Sequence, residues 1–91
     1  MTRTEIHKKV CDKLHDTYKA KNADYGNSFA KVRAKYAEAI LIRLEDKMSR
    51  LEQLIINGNR QVADESINDT LLDMANYCIM ELVEREIDND R

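Results

Sequence analysis

The chain has 91 residues, the length of one domain, and carries 15 Lys+Arg against 17 Asp+Glu for a net charge of -2. A chain this close to neutral is poorly suited to coat nucleic acid or to bind membranes through a polybasic surface. With no Pro, two Gly, no Trp and one Phe it lacks the turn residues and aromatics of an all-β fold, and Cys11 and Cys78 alone make neither a disulfide framework nor a four-ligand zinc site.

No apolar run approaches the length of a membrane span and no signal-peptide core opens the chain, which predicts a cytoplasmic protein with idle thiols. The apolar spacing predicts an all-α fold of three main helical blocks. The first covers residues 4–22, with Ile6, Val10, Cys11, Leu14 and Tyr18 on one face, Thr4 as N-cap, and lysines 8, 9, 13, 19 and 21 on the other face. His7 and His15 have no partner at metal-ligand spacing and read as surface residues. Residues 21–29 hold Asn22, Asp24, Gly26, Asn27 and Ser28, which is turn chemistry, and Asn27 or Ser28 can cap the helix that follows.

The second block covers residues 29–57 and stops at Gly58. Its stripe is Ala37, Leu41, Leu44, Met48, Leu51 and Ile55. Residues 30–36 are less apolar, so the block either kinks there or begins with a separate short helix. The third block covers residues 64–88, with Asp64 as cap, Val62 or Ala63 as staple, and Ile67, Leu71, Met74, Ala75, Cys78, Ile79 and Leu82 as its apolar face. Three such helices bury a modest core, and self-association is expected to complete it. One domain, residues 1–91, is predicted.

The third block concentrates negative charge. Residues 61–84 contain no Lys or Arg, and Glu65, Asp69 and Asp73 follow at i, i+4 spacing with Asn76 on the same face. Met80, Val83 and Ile87 continue that azimuth, which predicts a face packed against another helix and carboxylates at least partly buried. Buried carboxylates need cations. A divalent ion of the Mg²⁺ or Mn²⁺ kind suits three carboxylates and an amide. The structural alternative is a salt-bridge network to Arg43, Lys47 and Arg50 of the second block. There Arg43, Asp46, Lys47 and Arg50 cluster on one side, so that Asp46 can join a metal while Lys47 and Arg50 grip a phosphate. No nucleophile constellation and no Gly-rich phosphate loop is visible, so any hydrolysis would use a metal-activated water.

Glu65-Ser66-Ile67-Asn68-Asp69-Thr70-Leu71-Leu72-Asp73 with Met74-Ala75-Asn76-Tyr77 resembles the third-helix motif of the all-α, MazG-like nucleoside-triphosphate pyrophosphohydrolases. Adding Lys21-Asn22-Ala23-Asp24-Tyr25-Gly26-Asn27-Ser28-Phe29 and Arg43-Leu44-Glu45-Asp46-Lys47-Met48-Ser49-Arg50-Leu51, the chain is more closely similar to a small phage and bacterial group of nucleotide-modification-associated domains. The resemblance spans residues 21–78. It implies a MazG-like helical bundle, a homo-oligomer, and a phage- or prophage-encoded protein that handles a nucleotide; from charge and composition no membrane and no direct nucleic-acid partner is expected.

On an enzymatic reading of that resemblance, Asp46, Glu65 and Asp69 are catalytic and, with Asp73, hold Mg²⁺ (or Mn²⁺), while Lys21, Asp24, Tyr25, Arg43, Lys47, Arg50 and Asn76 contact the substrate. The motif departs from the pyrophosphohydrolase pattern. Glu45 and Asp46 are adjacent where that pattern has acids a turn apart, Ser66 replaces an acid, and Asp73 is extra. Two other readings therefore stand beside it: a module that binds or sequesters a nucleotide, including a signalling nucleotide, without turnover, and a helical interaction protein whose charges are structural.

Overall fold

A computed structural model describes residues 1–58 and 60–90, with side chains described outside residues 60–64. Among the described residues all regular structure is helical: α1 (Arg3–Tyr25), α2 (Ser28–Lys35), α3 (Ala39–Asn57) and α4 (Arg60–Asn89). The all-α expectation holds, with four helices in place of three.

The first helix starts earlier than expected. Thr2, not Thr4, is its N-cap. The Thr2 Oγ1 accepts from the Glu5 N–H at 3.1 Å and the Glu5 carboxylate accepts from the Thr2 N–H at 3.1 Å, a complete capping box two residues upstream. Helix α1 then continues to Tyr25, through most of the segment read as a turn. The reversal is confined to Gly26 and Asn27. Gly26 has φ 66° and ψ -156°, a region essentially reserved for glycine. Asn27 occupies the N-cap position of α2 without a side-chain hydrogen bond.

The second block divides. Tyr36 takes extended backbone, φ -132° and ψ 106°, and α2 ends there. The reason lies in the packing on α4. Arg43 lies over the ring of Tyr77 and Lys47 pairs with Asp73, so α3 runs antiparallel to α4. Continuing that register through an unbroken helix would carry Phe29 past the end of α4. The break turns α2 back instead. Phe29, buried, packs against Tyr77 with ring centroids 5.8 Å apart, and Arg33 reaches Glu81.

Helix α3 ends where Gly58 predicts, although Gly58 is extended (φ -79°, ψ 151°) rather than left-handed. Helix α4 begins at Arg60, four residues before the expected cap. The Asp64, Val62 and Ala63 side chains assigned to that cap lie outside the described residues.

The α3–α4 hairpin is the principal contact, with α1 and α2 laid on it. Among the described residues, Leu14, Phe29 and Ala39 are the buried apolar ones, joined by Thr70 and Glu81. The Thr70 hydroxyl donates to the Ser66 carbonyl at 2.7 Å, which meets its need inside the core. The apolar stripe expected on the second block is used only in part. Leu44 and Leu51 are half-buried, while Ala37, Leu41, Met48 and Ile55 are exposed. Helix α3 is rotated so that Arg43 and Lys47, not the centre of the stripe, meet α4.

Candidate binding site

A cavity of about 380 Å³ opens where the C-terminal half of α1, the α1–α2 turn, α3 and α4 meet. Each wall comes from a different part of the chain. Lys21 and Tyr18 stand on α1, Asn27 and Ser28 on the turn and the start of α2, Arg43 and Lys47 on α3, and Asp73, Asn76 and Tyr77 on α4. The Asn76 amide donates to the Leu14 carbonyl at 3.3 Å and ties α1 to α4 beside the cavity.

The centre of the site is Asp73. Its Oδ1 accepts from Lys21 Nζ at 3.3 Å and its Oδ2 from Lys47 Nζ at 3.1 Å. The two lysines are 26 positions apart in sequence and on different helices, so their convergence on one carboxylate is a tertiary event. Lys47 and Asp73 are both about 30% exposed, which leaves the pair partly shielded but reachable from the cavity. Next to it the Arg43 guanidinium lies 5.9 Å from the centre of the Tyr77 ring, within cation–π range. Tyr77 in turn packs on Phe29. Tyr25, 73% exposed, stands at the rim. The lining thus combines three cations (Lys21, Arg43, Lys47), two carboxylates (Asp73, Glu84) and aromatic faces.

A second ionic cluster supports this wall from behind. The Arg33 guanidinium grips both oxygens of Glu81, at 2.9 and 3.1 Å, and reaches Asp88 at 3.1 Å; Arg85 adds a contact to Glu81 at 2.7 Å. The hydrogen bonds from Arg33 hold the Glu81 carboxyl below its usual range against the opposing effect of burial, and those to Glu81 and Asp88 raise the Arg33 pKa. The clamp fixes α2 on α4 and, through Phe29, the floor of the cavity.

Of the residues expected at a site, the structure gathers Lys21, Tyr25, Arg43, Lys47, Asp73 and Asn76 around this cavity. It does not gather the others. Asp24, Asp46, Arg50, Glu65 and Asp69 are exposed and lie outside the lining. Asp69 and Glu65 are one and two turns before Asp73, about 6 and 12 Å along α4. The partial burial expected for the carboxylate row is met by Asp73 alone, because α1 covers the row only at that level, and Val83 and Ile87 remain more than 40% exposed. Among the described residues no three His, Cys, Asp or Glu side chains come together as metal ligands. Asp73 is engaged by two ammonium groups. Of the acids expected to hold Mg²⁺ or Mn²⁺, Asp73 lines the cavity while Asp46, Glu65 and Asp69 stand outside it. The salt-bridge alternative is realised at the Lys47–Asp73 pair.

Sequence reasoning missed Tyr18, Phe29, Tyr77 and Glu84 as lining residues. Tyr18 read as an apolar-face position, and Phe29 and Tyr77 only as parts of the resembling motifs; for Tyr18 and Phe29 the signal was an aromatic beside the lysines of the same segment. It also missed Arg33–Glu81, a pair 48 positions apart with no spacing rule to reveal it. His7 and His15 are exposed, as expected of surface histidines; His15 stacks on Tyr18 at 6.4 Å.

Fold and cavity define a small helical domain with a cationic, aromatic-lined pocket between helices. The chain belongs to the family described as nucleotide modification associated domain 1, whose model matches residues 21–84. That match begins at Lys21 and ends at Glu84, both of them cavity residues. No curated protein and no solved structure matches the chain. Among the described residues no helix is long and apolar enough to cross a membrane.

Proposed function

We propose that the cavity binds a nucleotide. The carrying observation is the convergence of Lys21 and Lys47, with Arg43 close by, beside the aromatic faces of Tyr18, Tyr25 and Tyr77. Ammonium and guanidinium groups bind phosphate by charge-assisted hydrogen bonds. Aromatic faces bind a base by stacking, and Asn and Ser side chains supply donors and acceptors for its edge or for the sugar. The family description and the earlier resemblance to nucleotide-handling enzymes point the same way. Asp73 serves as an internal counter-ion that holds the two lysines in place until a phosphate takes them over.

Calorimetry with nucleoside mono-, di- and triphosphates tests this. Saturable binding is expected, weakened about tenfold or more by Lys47→Ala, since a hydrogen bond to a charged group is worth about 1.5–3 kcal/mol. Absence of heat with every nucleotide, or unchanged affinity in Lys47→Ala, refutes it. The same samples with Mg²⁺ read turnover. Pyrophosphate release that Asp69→Ala abolishes would give the exposed acids Asp46, Glu65 and Asp69 a catalytic role. Nucleotide recovered intact leaves binding as the function.

A further inference from the structure

Glu84 lines the cavity and is half-buried, yet among the described residues its carboxylate has neither an ion-pair nor a hydrogen-bond partner. The cations around it are committed elsewhere. Arg33 holds both oxygens of Glu81 and reaches Asp88, Arg85 adds to Glu81, and Lys21 and Lys47 meet on Asp73. One turn away on its own helix, Met80, Glu81, Ile87 and Asp88 offer it no positive charge. An ionised carboxylate is an acceptor only, and taking it out of water without donors is costly. Whatever displaces water from Glu84 must therefore bring N–H or O–H groups.

The position of Glu84 along the cavity says which part of a ligand that is. Asp73, Tyr77, Met80 and Glu84 lie within about 60° of one another on the helical wheel, a single row down the cavity side of α4. Lys21 and Lys47 mark one end of the row, at Asp73. Tyr77, which packs on Phe29 and lies under Arg43, forms the middle with Met80. Glu84 stands at the other end, eleven residues or about 16 Å beyond Asp73. The row thus runs from cations, through an aromatic and apolar stretch, to a bare acceptor. A nucleotide laid along it puts its phosphates at the lysines and the far edge of its base at Glu84.

The bases differ in what that edge presents. Guanine offers two adjacent donors, the ring N1–H and the exocyclic amino group at C2, which match the two oxygens of a carboxylate. Adenine and cytosine set one amino donor beside a ring nitrogen acceptor. Uracil and thymine flank a single N–H with two carbonyl oxygens. A carboxylate facing any of those four meets at least one lone pair, which repels it. From these observations we infer that Glu84 is a specificity-determining residue that reads the base and makes the cavity a site for guanine nucleotides. The inference rests on the nucleotide reading of the cavity and adds the base to it.

Calorimetry of the full chain with GTP, ITP, ATP, CTP and UTP in metal-free buffer tests it. ITP is GTP without the amino group at C2, so the pair isolates one of the two donors. GTP is expected to bind about tenfold or more tighter than each of the others, the scale of a hydrogen bond to a charged group. Glu84→Gln keeps the shape and replaces one acceptor oxygen by a donor, and is expected to bring GTP and ITP to near-equal affinity. Should that variant fail to fold by circular dichroism, the wild-type ratio of GTP to ITP decides alone. Equal affinity for GTP and ITP in the wild-type chain, tighter binding of ATP, CTP or UTP than of GTP, or an undiminished preference for GTP in a folded Glu84→Gln chain overturns the inference and leaves the nucleotide reading standing. Failure of the nucleotide reading itself looks different: none of the five binds, and the inference falls with it.

Discussion

Asp73→Asn separates a counter-ion from a ligand-holding carboxylate. In the wild-type chain the carboxylate accepts from Lys21 at 3.3 Å and from Lys47 at 3.1 Å. A phosphate arriving at the same ammonium groups meets that negative charge. Two unit charges about 4 Å apart interact by about 4 kcal/mol at an effective dielectric near 20, and partial exposure with physiological salt reduces this to about 1–2 kcal/mol. Removing the charge while keeping the shape should therefore tighten nucleotide binding about five- to thirty-fold. The same change weakens two partly exposed ion pairs, each worth about 0–1 kcal/mol, so the fold should survive. Calorimetry at two salt concentrations reads the affinity, and urea unfolding reads the stability. The gain should shrink at high salt. Weaker or abolished binding in a folded Asp73→Asn chain would refute the reasoning, because it would mean that the carboxylate itself holds the ligand.

Other outcomes follow from single features. Gly26→Ala should cost about 1–3 kcal/mol in urea unfolding; nothing lies within 4 Å of the added Cβ, so the whole cost comes from the backbone conformation, and an unchanged midpoint would contradict it. Tyr25→Ala should weaken binding by about 1–3 kcal/mol through lost stacking and leave the thermal midpoint nearly unmoved, as expected of a rim residue 73% exposed. The Glu81 pKa lies below its ordinary 4.5 because Arg33 and Arg85 stabilise the carboxylate, so its contribution is fully present above that value and is lost as pH falls through the lower folded value. Acid titration followed by circular dichroism should show stability falling below about pH 4.5, and Glu81→Gln should flatten that fall and lower the midpoint at neutral pH.

The helices were legible in the sequence because apolar spacing, scarce glycine and absent proline are local properties. Their ends were less so. Thr2 and Thr4 both qualify as caps, and only the reciprocal bond with Glu5 chooses between them. The break at Tyr36 showed as a thinning of the apolar pattern, but its purpose did not, since it depends on where Phe29 and Arg33 find partners on α4. In the candidate site the sequence pointed to Lys21, Lys47, Asp73 and Asn76 through charge spacing and resemblance. It grouped Glu65, Asp69 and Asp73 equally, because a helical wheel records azimuth and not how far along the axis a neighbour extends.

The sequence alone determined an all-α chain with a charged face and apolar stripes, because the helical repeat and the order of side chains along it are written residue by residue. The tertiary structure decided which level of that charged face is covered and which stripe is left bare. The lysines of α1 and α3 meet Asp73, and not Asp69, because α1 ends against α4 at that height and α3 packs with Lys47 turned inward. Such depth and rotation are set by the packing of distant helices, where no local spacing rule reaches.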